Sequence, residues 1–342
     1  MAINYDYQTL TTLINDIEVQ DPFLVRMVYG GGSAIRPVIS ETYKVRIFKG
    51  NEKILPFVGK TEGGTLIQNT LSKQQTVDFP RLRPKKFIPA KDLRTQNYQE
   101  IYTPGAGTVG NNADFKIMTE SDDMKNRMLM SMELMVAQTL QGYTNIVDDE
   151  KNQIDYLDFQ MPATHKLVLD AALQWDGVDV DIPSQILEYK MLVAKTGREA
   201  DVLVVGHDVA FSILKNKPVL EILNKINVNV GNIRTEMDKK EKRAIYLATI
   251  HGVEIWSYTR TYLDSNNDEQ YYIPVNAVSL FASEAEREAV SGIVIDNEAQ
   301  VNSTFFEKGW EEKDPSGVFL LAESRPLFIP VRVEAQMWLV VQ

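Results

Sequence analysis

The sequence contains no cysteine and only three histidines among its 342 residues. The absence of cysteine excludes disulfides, thiol nucleophiles and zinc–thiolate sites. The longest apolar runs, Val318–Ala322 and Met337–Val341, fall far short of the roughly 18 residues that a membrane helix needs. The sequence begins Met1-Ala-Ile-Asn-Tyr-Asp, without the basic and apolar regions of a secretory signal, so we expect none. These absences predict a protein of the cytoplasm, or of a particle assembled there, with no membrane partner.

Basic residues are fewer than acidic ones, 36 against 47, which gives a net charge of −11. This balance lacks the broad positive surface of a dedicated nucleic-acid binder. One short basic cluster stands out, Arg81-Leu-Arg83-Pro-Lys85-Lys86. We interpret it as a solvated or intersubunit charge patch. The length predicts about two domains, with ample material for a buried core.

The first 87 residues read as an arm followed by a ribbon. Two apolar clusters, Leu10–Ile17 and Phe23–Val28, precede three glycines, Gly30 to Gly32, which we interpret as a hinge. From Ser40 to Phe87 the pattern predicts two long extended stretches with little helix. Such a two-stranded ribbon is marginal alone in water, so it must lie against another surface, which could belong to another subunit.

A single long helix is predicted over residues 122–141. Thr119 followed by Asp122 suits a capping-box variant, and Gly142 supplies the end. Methionines recur along it at helical spacing, and we interpret this stripe as core or subunit interface. The sequence from 88 to 118 is expected to be mostly irregular.

The region from residue 161 to 285 reads as α/β, and strands return from Ile293 to Gln342. Within it, Asp201–Gly206 has the continuous apolar run of a buried strand, and helices are predicted after it.

Three motifs invite a catalytic or ligand-binding interpretation, and two of them fail on their own flanks. Gly105-Ala-Gly107-Thr-Val-Gly110 matches a dinucleotide loop, but no buried strand precedes it and no helix is expected after it. Asp264, Asn266 and Asp268 open like a calcium loop, yet Glu269 and Val275 occupy the positions that need Gly and Glu. The three histidines show no metal-ligand spacing.

The third motif, Gly206-His207-Asp208-Val209-Ala210, joins a buried strand to a helix. An α/β-hydrolase places its nucleophile at such a turn, so Asp208 is a candidate nucleophile with His251 as its base. An aspartate there is also an ordinary helix N-cap, and we favour that interpretation.

The order of the parts resembles the Hong Kong 97-like fold of tailed-phage capsid proteins. More closely, the chain is similar to the major capsid protein E family of lambda-like phages. The matching segments are short and span nearly the whole chain in order: Phe23–Arg26, Ser40–Val45, Pro56–Gly59, Pro84–Ile88, Leu140–Thr144, Asp201–Gly206, Ala210–Leu214, Asp314-Pro315 and Ala322–Leu327.

The resemblance implies an α+β fold with an N-terminal arm, an extended β-ribbon loop, a long spine helix in a peripheral domain and an α/β axial domain. The division that it implies is as follows: an arm over 1–32, the ribbon over 33–87, a peripheral domain over 88–160 and 286–324 with its spine helix at 122–141, and an axial domain over 161–285 and 325–342.

The function implied by the resemblance is that of a major capsid protein, not an enzyme, that self-assembles into the icosahedral shell enclosing phage double-stranded DNA. Its partners would be other copies in hexamers and pentamers, a portal, scaffolding or decoration proteins, and DNA contacted without sequence specificity. No catalytic, metal or cofactor residue is implied. Two alternatives stay open: a hydrolase with an Asp208 nucleophile, and a cellular shell protein of the same fold that encloses cargo.

Overall fold

The computed structural model describes residues 6–48, 71–94, 109–147, 153–177, 179–227, 244–264, 266–297 and 300–342. The chain divides into two compact units. Unit 1 consists of Met1–Tyr43, Thr76–Met132 and Ala289–Phe328. Unit 2 consists of Lys44–Gln75, Glu133–Glu288 and Ile329–Gln342.

The α-helices of the described residues are α1 (Tyr7–Asp16), α2 (Phe23–Tyr29), α3 (Ala90–Arg94), α4 (Val109–Leu140), α5 (Ile182–Ala194), α6 (His207–Lys215) and α7 (Lys217–Asn227). The strands are β1 (Arg36–Val38), β2 (Thr42–Phe48), β3 (Leu71–Asp78), β4 (Lys85–Pro89), β5 (Tyr143–Val147), β6 (Gln153–Asp158), β7 (Lys166–Val168), β8 (Val202–Val205), β9 (Ile245–Ile250), β10 (Val253–Ser257), β11 (Thr261–Leu263), β12 (Glu269–Tyr271), β13 (Ala277–Phe281), β14 (Arg287–Gly292), β15 (Val294–Ile295), β16 (Gln300–Val301), β17 (Phe306–Lys313), β18 (Ser316–Glu323), β19 (Pro326–Pro330) and β20 (Gln336–Val340). None of the helices in these ranges is long and apolar enough to cross a membrane.

The arm of unit 1 is helical and lies on its own unit. Helix α1 buries Leu10 and Ile14, and the Thr11 hydroxyl donates to the carbonyl of Glu307 on β17 at 3.1 Å. Helix α2 ends at Gly30, whose φ of +85° is the left-handed conformation that suits glycine at a helix end. The predicted hinge is therefore a helix cap, because the Gly30 and Gly31 N–H groups donate back to the Arg26 and Val25 carbonyls.

Two small sheets complete unit 1. The first is antiparallel in the order β17-β18-β4, with Phe306 opposite Glu323 at one end and Lys313 opposite Ser316 at the other. In the second, β1 pairs in parallel with β14, and β19 lies on the other side of β14.

The long helix α4 begins at Val109, so the predicted start at residue 122 is wrong. Thr119 is not a cap: its hydroxyl donates to the Phe115 carbonyl at 2.9 Å, one turn back inside the helix. Ile117 is 1% exposed, and Lys116 pairs with Glu120 at i, i+4. These contacts outweigh the low helix propensity of Gly110, Asn111 and Asn112, because extending a helix that has already formed costs little free energy. The end at Leu140, before Gly142 with φ +89°, agrees with the prediction.

Unit 2 is built on a six-stranded mixed sheet in the order β7-β20-β13-β8-β10-β9. All four residues of β8 are buried, as the continuous apolar run predicts. Residues of α5, α6 and α7 share one apolar core with the sheet. The helices predicted after Asp201–Gly206 are confirmed as α6 and α7.

Four hairpins of two strands accompany these sheets: β2 with β3, β5 with β6, β11 with β12, and β15 with β16. The pair β2 and β3 is the predicted ribbon, and we call it the ribbon below. Residues 49–70, which include the predicted tip at Pro56–Gly59, lie outside the described residues.

Candidate functional site

The hydrolase hypothesis fails first at its nucleophile. Asp208 is the second residue of α6, whose N-cap is Gly206 and has no side-chain cap, so the favoured N-cap interpretation of Asp208 is also wrong. Gly206 stands there because a Cβ would overlap the carbonyl oxygens of Pro274 and Val275. The Asp208 N–H donates to the Val275 carbonyl at 3.2 Å, which is a structural contact.

The candidate base, His251, lies at the opposite end of the parallel strands from Asp208. Strands β8 and β10 run parallel, with Glu254 opposite Val202 and Ser257 opposite Val205. His251 precedes β10 in its turn, whereas Asp208 follows the end of β8. A four-residue strand spans about 13 Å, so no proton passes directly between the two side chains. The Asp208–His251 pair is not a catalytic dyad.

The acidic loop after β11 stabilises its own turn. The Asp264 carboxylate accepts hydrogen bonds from the N–H groups of Asn266 at 2.8 Å and Asp268 at 3.0 Å. This is an Asx turn, which uses the side chain that a cation would need. Among the described residues no group of three or more His, Asp or Glu side chains could hold a metal ion. Gly105 and Gly107 of the glycine motif lie outside those residues, and Gly110 lies within α4.

The methionine stripe of α4 is buried. Met124, Met128 and Met132 are 2%, 2% and 0% exposed in the single chain. The core interpretation is therefore confirmed.

The side chains of the basic cluster at residues 81–86 have partners within unit 1, while Arg81, Arg83 and Lys85 also remain exposed to solvent. A role of this cluster between subunits stays a prediction. Lys86 pairs with Glu120 and with Asp123 at 3.1 Å on α4. The ammonium of Lys85 lies 4.0 Å from the ring centre of Phe319, a cation–π contact. Arg81 and Arg83 turn towards Glu323, the last residue of β18.

Glu323 is the centre of this ion-pair network. Its side chain is 1% exposed. Arg81 binds it through two parallel bonds, Nε to Oε1 at 2.7 Å and Nη2 to Oε2 at 2.8 Å. Arg83 Nε lies 3.2 Å from Oε2, and Arg325 Nε donates to Oε1 at 2.9 Å. These partners compensate the carboxylate for the water that it loses on burial, and the pairing with Glu323 raises the pKa of Arg81.

The network sits where the ribbon joins unit 1. We call residues 40–43 and 79–83 the ribbon root, since they precede β2 and follow β3. The two segments touch through a hydrogen bond from the Phe79 N–H to the Glu41 carbonyl at 3.2 Å and through the rings of Tyr43 and Phe79, 5.8 Å apart. A Cβ at Gly292 would overlap the Phe79 ring, so the root is closely packed against β14.

Side chains along β2 of the ribbon alternate between exposed and buried positions. Lys44 and Arg46 are exposed on β2, whereas Val45 and Ile47 are each 1% exposed. The Phe48 N–H donates to the Val331 carbonyl at 3.0 Å, within unit 2. The buried face of the described part of β2 is thus covered by its own chain, and contact of its exposed face with another subunit stays a prediction.

Sequence reasoning missed Glu323 and treated the basic cluster alone. A signal was present, because Glu323 directly follows the apolar run Val318–Ala322, and a carboxylate that is buried with such a strand must be paired. Arg81 and Glu323 are more than 240 residues apart in the chain, so their spacing in the sequence could not identify them as partners.

Comparison with known proteins agrees with this architecture. The structure is similar to one described as a capsid protein of an Escherichia coli prophage, with a TM-score of 0.72, 14% identity and 100% of each chain covered. It is also similar to a phage-related protein of Bordetella bronchiseptica, with a TM-score of 0.57, 13% identity, and 97% of this chain and 96% of that chain covered. At these identities the likeness concerns the fold, which is the α+β fold of phage capsid proteins. No curated protein sequence matches the chain significantly.

A family model settles the family. The model of phage major capsid protein E matches residues 6–341, nearly the whole chain. The chain therefore belongs to the phage major capsid protein E family and is a shell-forming capsid protein.

Proposed function

We propose that this capsid protein assembles as hexamers and pentamers into an icosahedral shell that encloses the double-stranded DNA of a tailed phage. The match of the family model over residues 6–341 carries this proposal. The fold adds support, because Asp208 and Asp264 make structural hydrogen bonds within the described residues.

The ribbon is the element that we assign to contact with a neighbouring copy. Within the described residues β2 and β3 form a sheet of two strands, and the Phe48 N–H at the end of β2 donates to the Val331 carbonyl. A two-stranded hairpin exposes a row of unpaired backbone groups on each side and is marginal on its own. Pairing or packing against a second copy satisfies those groups, and exposed Lys44 and Arg46 fit an acidic surface of a chain with net charge −11.

The remaining partners follow from the family. A closed phage shell needs a portal, and scaffolding or decoration proteins and non-specific DNA contacts belong to the same proposal. The acidic balance favours weak adhesion between the shell wall and packaged DNA, because like charges repel. Assembly in the host cytoplasm suits a chain without cysteine.

We also propose the division into an arm (1–32), a ribbon (33–87), a peripheral domain (88–160 and 286–324) and an axial domain (161–285 and 325–342). This division describes roles in the shell, whereas the two compact units describe how the backbone clusters in one chain.

Electron microscopy of the expressed full chain and of a ribbon-shortened variant tests the proposal. The variant replaces residues 49–70 with an Asn-Gly turn, which keeps β2, β3 and the ribbon root. We expect closed particles from the full chain and soluble, folded subunits without particles from the variant. Particles of normal size from the shortened chain would contradict the role of the ribbon, and dispersed subunits from the full chain would contradict self-assembly.

A further inference from the structure

We propose that Glu323 is a positioning residue for shell assembly: it ties both ends of the ribbon to unit 1 and so sets the direction in which the ribbon leaves the subunit. This inference rests on the proposed role of the ribbon in contact with a neighbouring copy. It concerns one buried carboxylate and the arginines around it.

The returning end of the ribbon is held directly. Arg81 lies three residues after the end of β3, and its guanidinium binds both carboxylate oxygens of Glu323, at 2.7 and 2.8 Å. A bidentate pair of this kind fixes orientation as well as distance, because two planar groups must align. The backbone repeats the contact, since Leu82 and Ser324 exchange two hydrogen bonds of 2.9 Å.

The outgoing end is held through Arg325. This side chain is 11% exposed and donates to Glu323 at 2.9 Å, while its Nη1 lies 3.5 Å from the carboxylate of Glu41. Glu41 is the residue before β2, and its carbonyl accepts the bond from Phe79 across the root. One carboxylate therefore links both strands of the ribbon.

A buried ion network is a poor way to gain stability, because apolar residues of similar volume often stabilise a core as well or better. It does differ from apolar packing in being directional. Glu323 is 1% exposed, and its carboxylate is bound by Arg81, Arg83 and Arg325. The ribbon needs a fixed direction if it is to meet a neighbouring copy at a fixed place.

The test compares Glu323→Gln with Glu307→Gln. Glu307 is a buried carboxyl on the neighbouring strand β17, its side chain bonded to Ser121 rather than to the ribbon root. Hydrogen exchange of residues 42–48 and 71–78 is measured on unassembled subunits, and particle yield is measured by sedimentation and microscopy. We expect Glu323→Gln to speed exchange in both ribbon strands about tenfold or more, to keep the rest of the fold and to lose most closed particles, with neither effect in Glu307→Gln.

Two surface variants keep the test decisive if Glu323→Gln fails to fold. Arg81→Gln and Glu41→Gln change side chains that are 42% and 61% exposed, so both variants are expected to fold. Each is expected to speed exchange at its own end of the ribbon and to lower particle yield. Unchanged exchange and normal particles in these variants would overturn the inference.

The exchange measurement separates this inference from the proposed function. If the ribbon-shortened chain forms normal shells, the role of the ribbon is wrong whatever Glu323 does. If the shortened chain fails to assemble while the Glu323→Gln protein forms normal shells with unchanged exchange, only the positioning role of Glu323 is wrong.

Discussion

The six-stranded sheet of unit 2 and the ribbon root of unit 1 hold their strands by different forces. Strands β8 and β13 bury every residue, and almost all are apolar. The ribbon root instead gathers three arginines around one buried carboxylate. Apolar burial is strong but has no direction, whereas paired charges fix an orientation. The comparison suggests that the sheet supplies stability and that the root supplies the geometry of assembly.

The largest effect is expected from a charge placed in the sheet. Val204 is 0% exposed at the centre of β8. Val204→Asp buries a carboxylate without a partner, which costs several kcal/mol against a total domain stability of about 5–15 kcal/mol. We expect the variant to be insoluble or to lose its cooperative thermal transition.

The same substitution on the edge strand is its control. Val168 on β7 is 75% exposed, so Val168→Asp is expected to change the free energy of unfolding by less than about 1 kcal/mol. If both variants melt like the parent chain, the sheet is not the main source of stability.

An intermediate effect is expected from pH, through Glu307. Burial raises the pKa of Glu307 to about 7, from 4.5 for the exposed group. The folded state therefore holds the proton more tightly, so the contribution of Glu307 to stability is complete below about pH 4.5 and is lost as the pH rises through 7. The loss amounts to about 3 kcal/mol.

The Glu307→Gln variant should lack this loss. We expect chemical denaturation to give similar free energies of unfolding for both proteins near pH 4.5 and a more stable variant near pH 8. Glu311→Gln, at an exposed position of the same strand, should keep the parent pH profile. Parallel profiles for the parent chain and Glu307→Gln would contradict the buried neutral carboxyl.

The smallest effect on the subunit is expected on the exposed face of the ribbon. Lys44→Gln with Arg46→Gln should change the free energy of unfolding by less than about 0.5 kcal/mol, because both side chains are exposed. Shell yield should nevertheless fall at low salt, and the difference from the parent chain should shrink at high salt, where the same ion pairs are screened in the parent chain. Lys195→Gln with Lys215→Gln removes the same charge from exposed positions of unit 2 and should leave the yield unchanged.

Features of the fold that depend on local pattern were predictable from the sequence. The apolar run at 202–205 indicated a buried strand, and Gly142 indicated a helix end, because each depends on neighbouring residues alone. The start of α4 was not predictable in this way. Its first turns contain Gly110, Asn111 and Asn112, which are poor helix formers. They are helical because buried residues later in α4 fix the helix, and extending a formed helix costs little free energy.

The candidate site was less predictable because its parts meet only in the folded chain. The basic residues at 81–86 were visible, but their acidic partners lie at Glu120, Asp123 and Glu323 on other elements. The Asp208 motif failed for the same reason. A strand-to-helix turn is a local pattern, whereas its distance from His251 depends on the parallel pairing of β8 with β10.

Hydrogen exchange of the ribbon in assembled shells and in free subunits tests the central claim most directly. The account predicts that residues 42–48 and 71–78 exchange more slowly in the shell, because a neighbouring copy covers them. Residues 202–205, already buried in unit 2, should exchange at the same rate in both states. Equal exchange of the ribbon in shells and in free subunits would contradict the account.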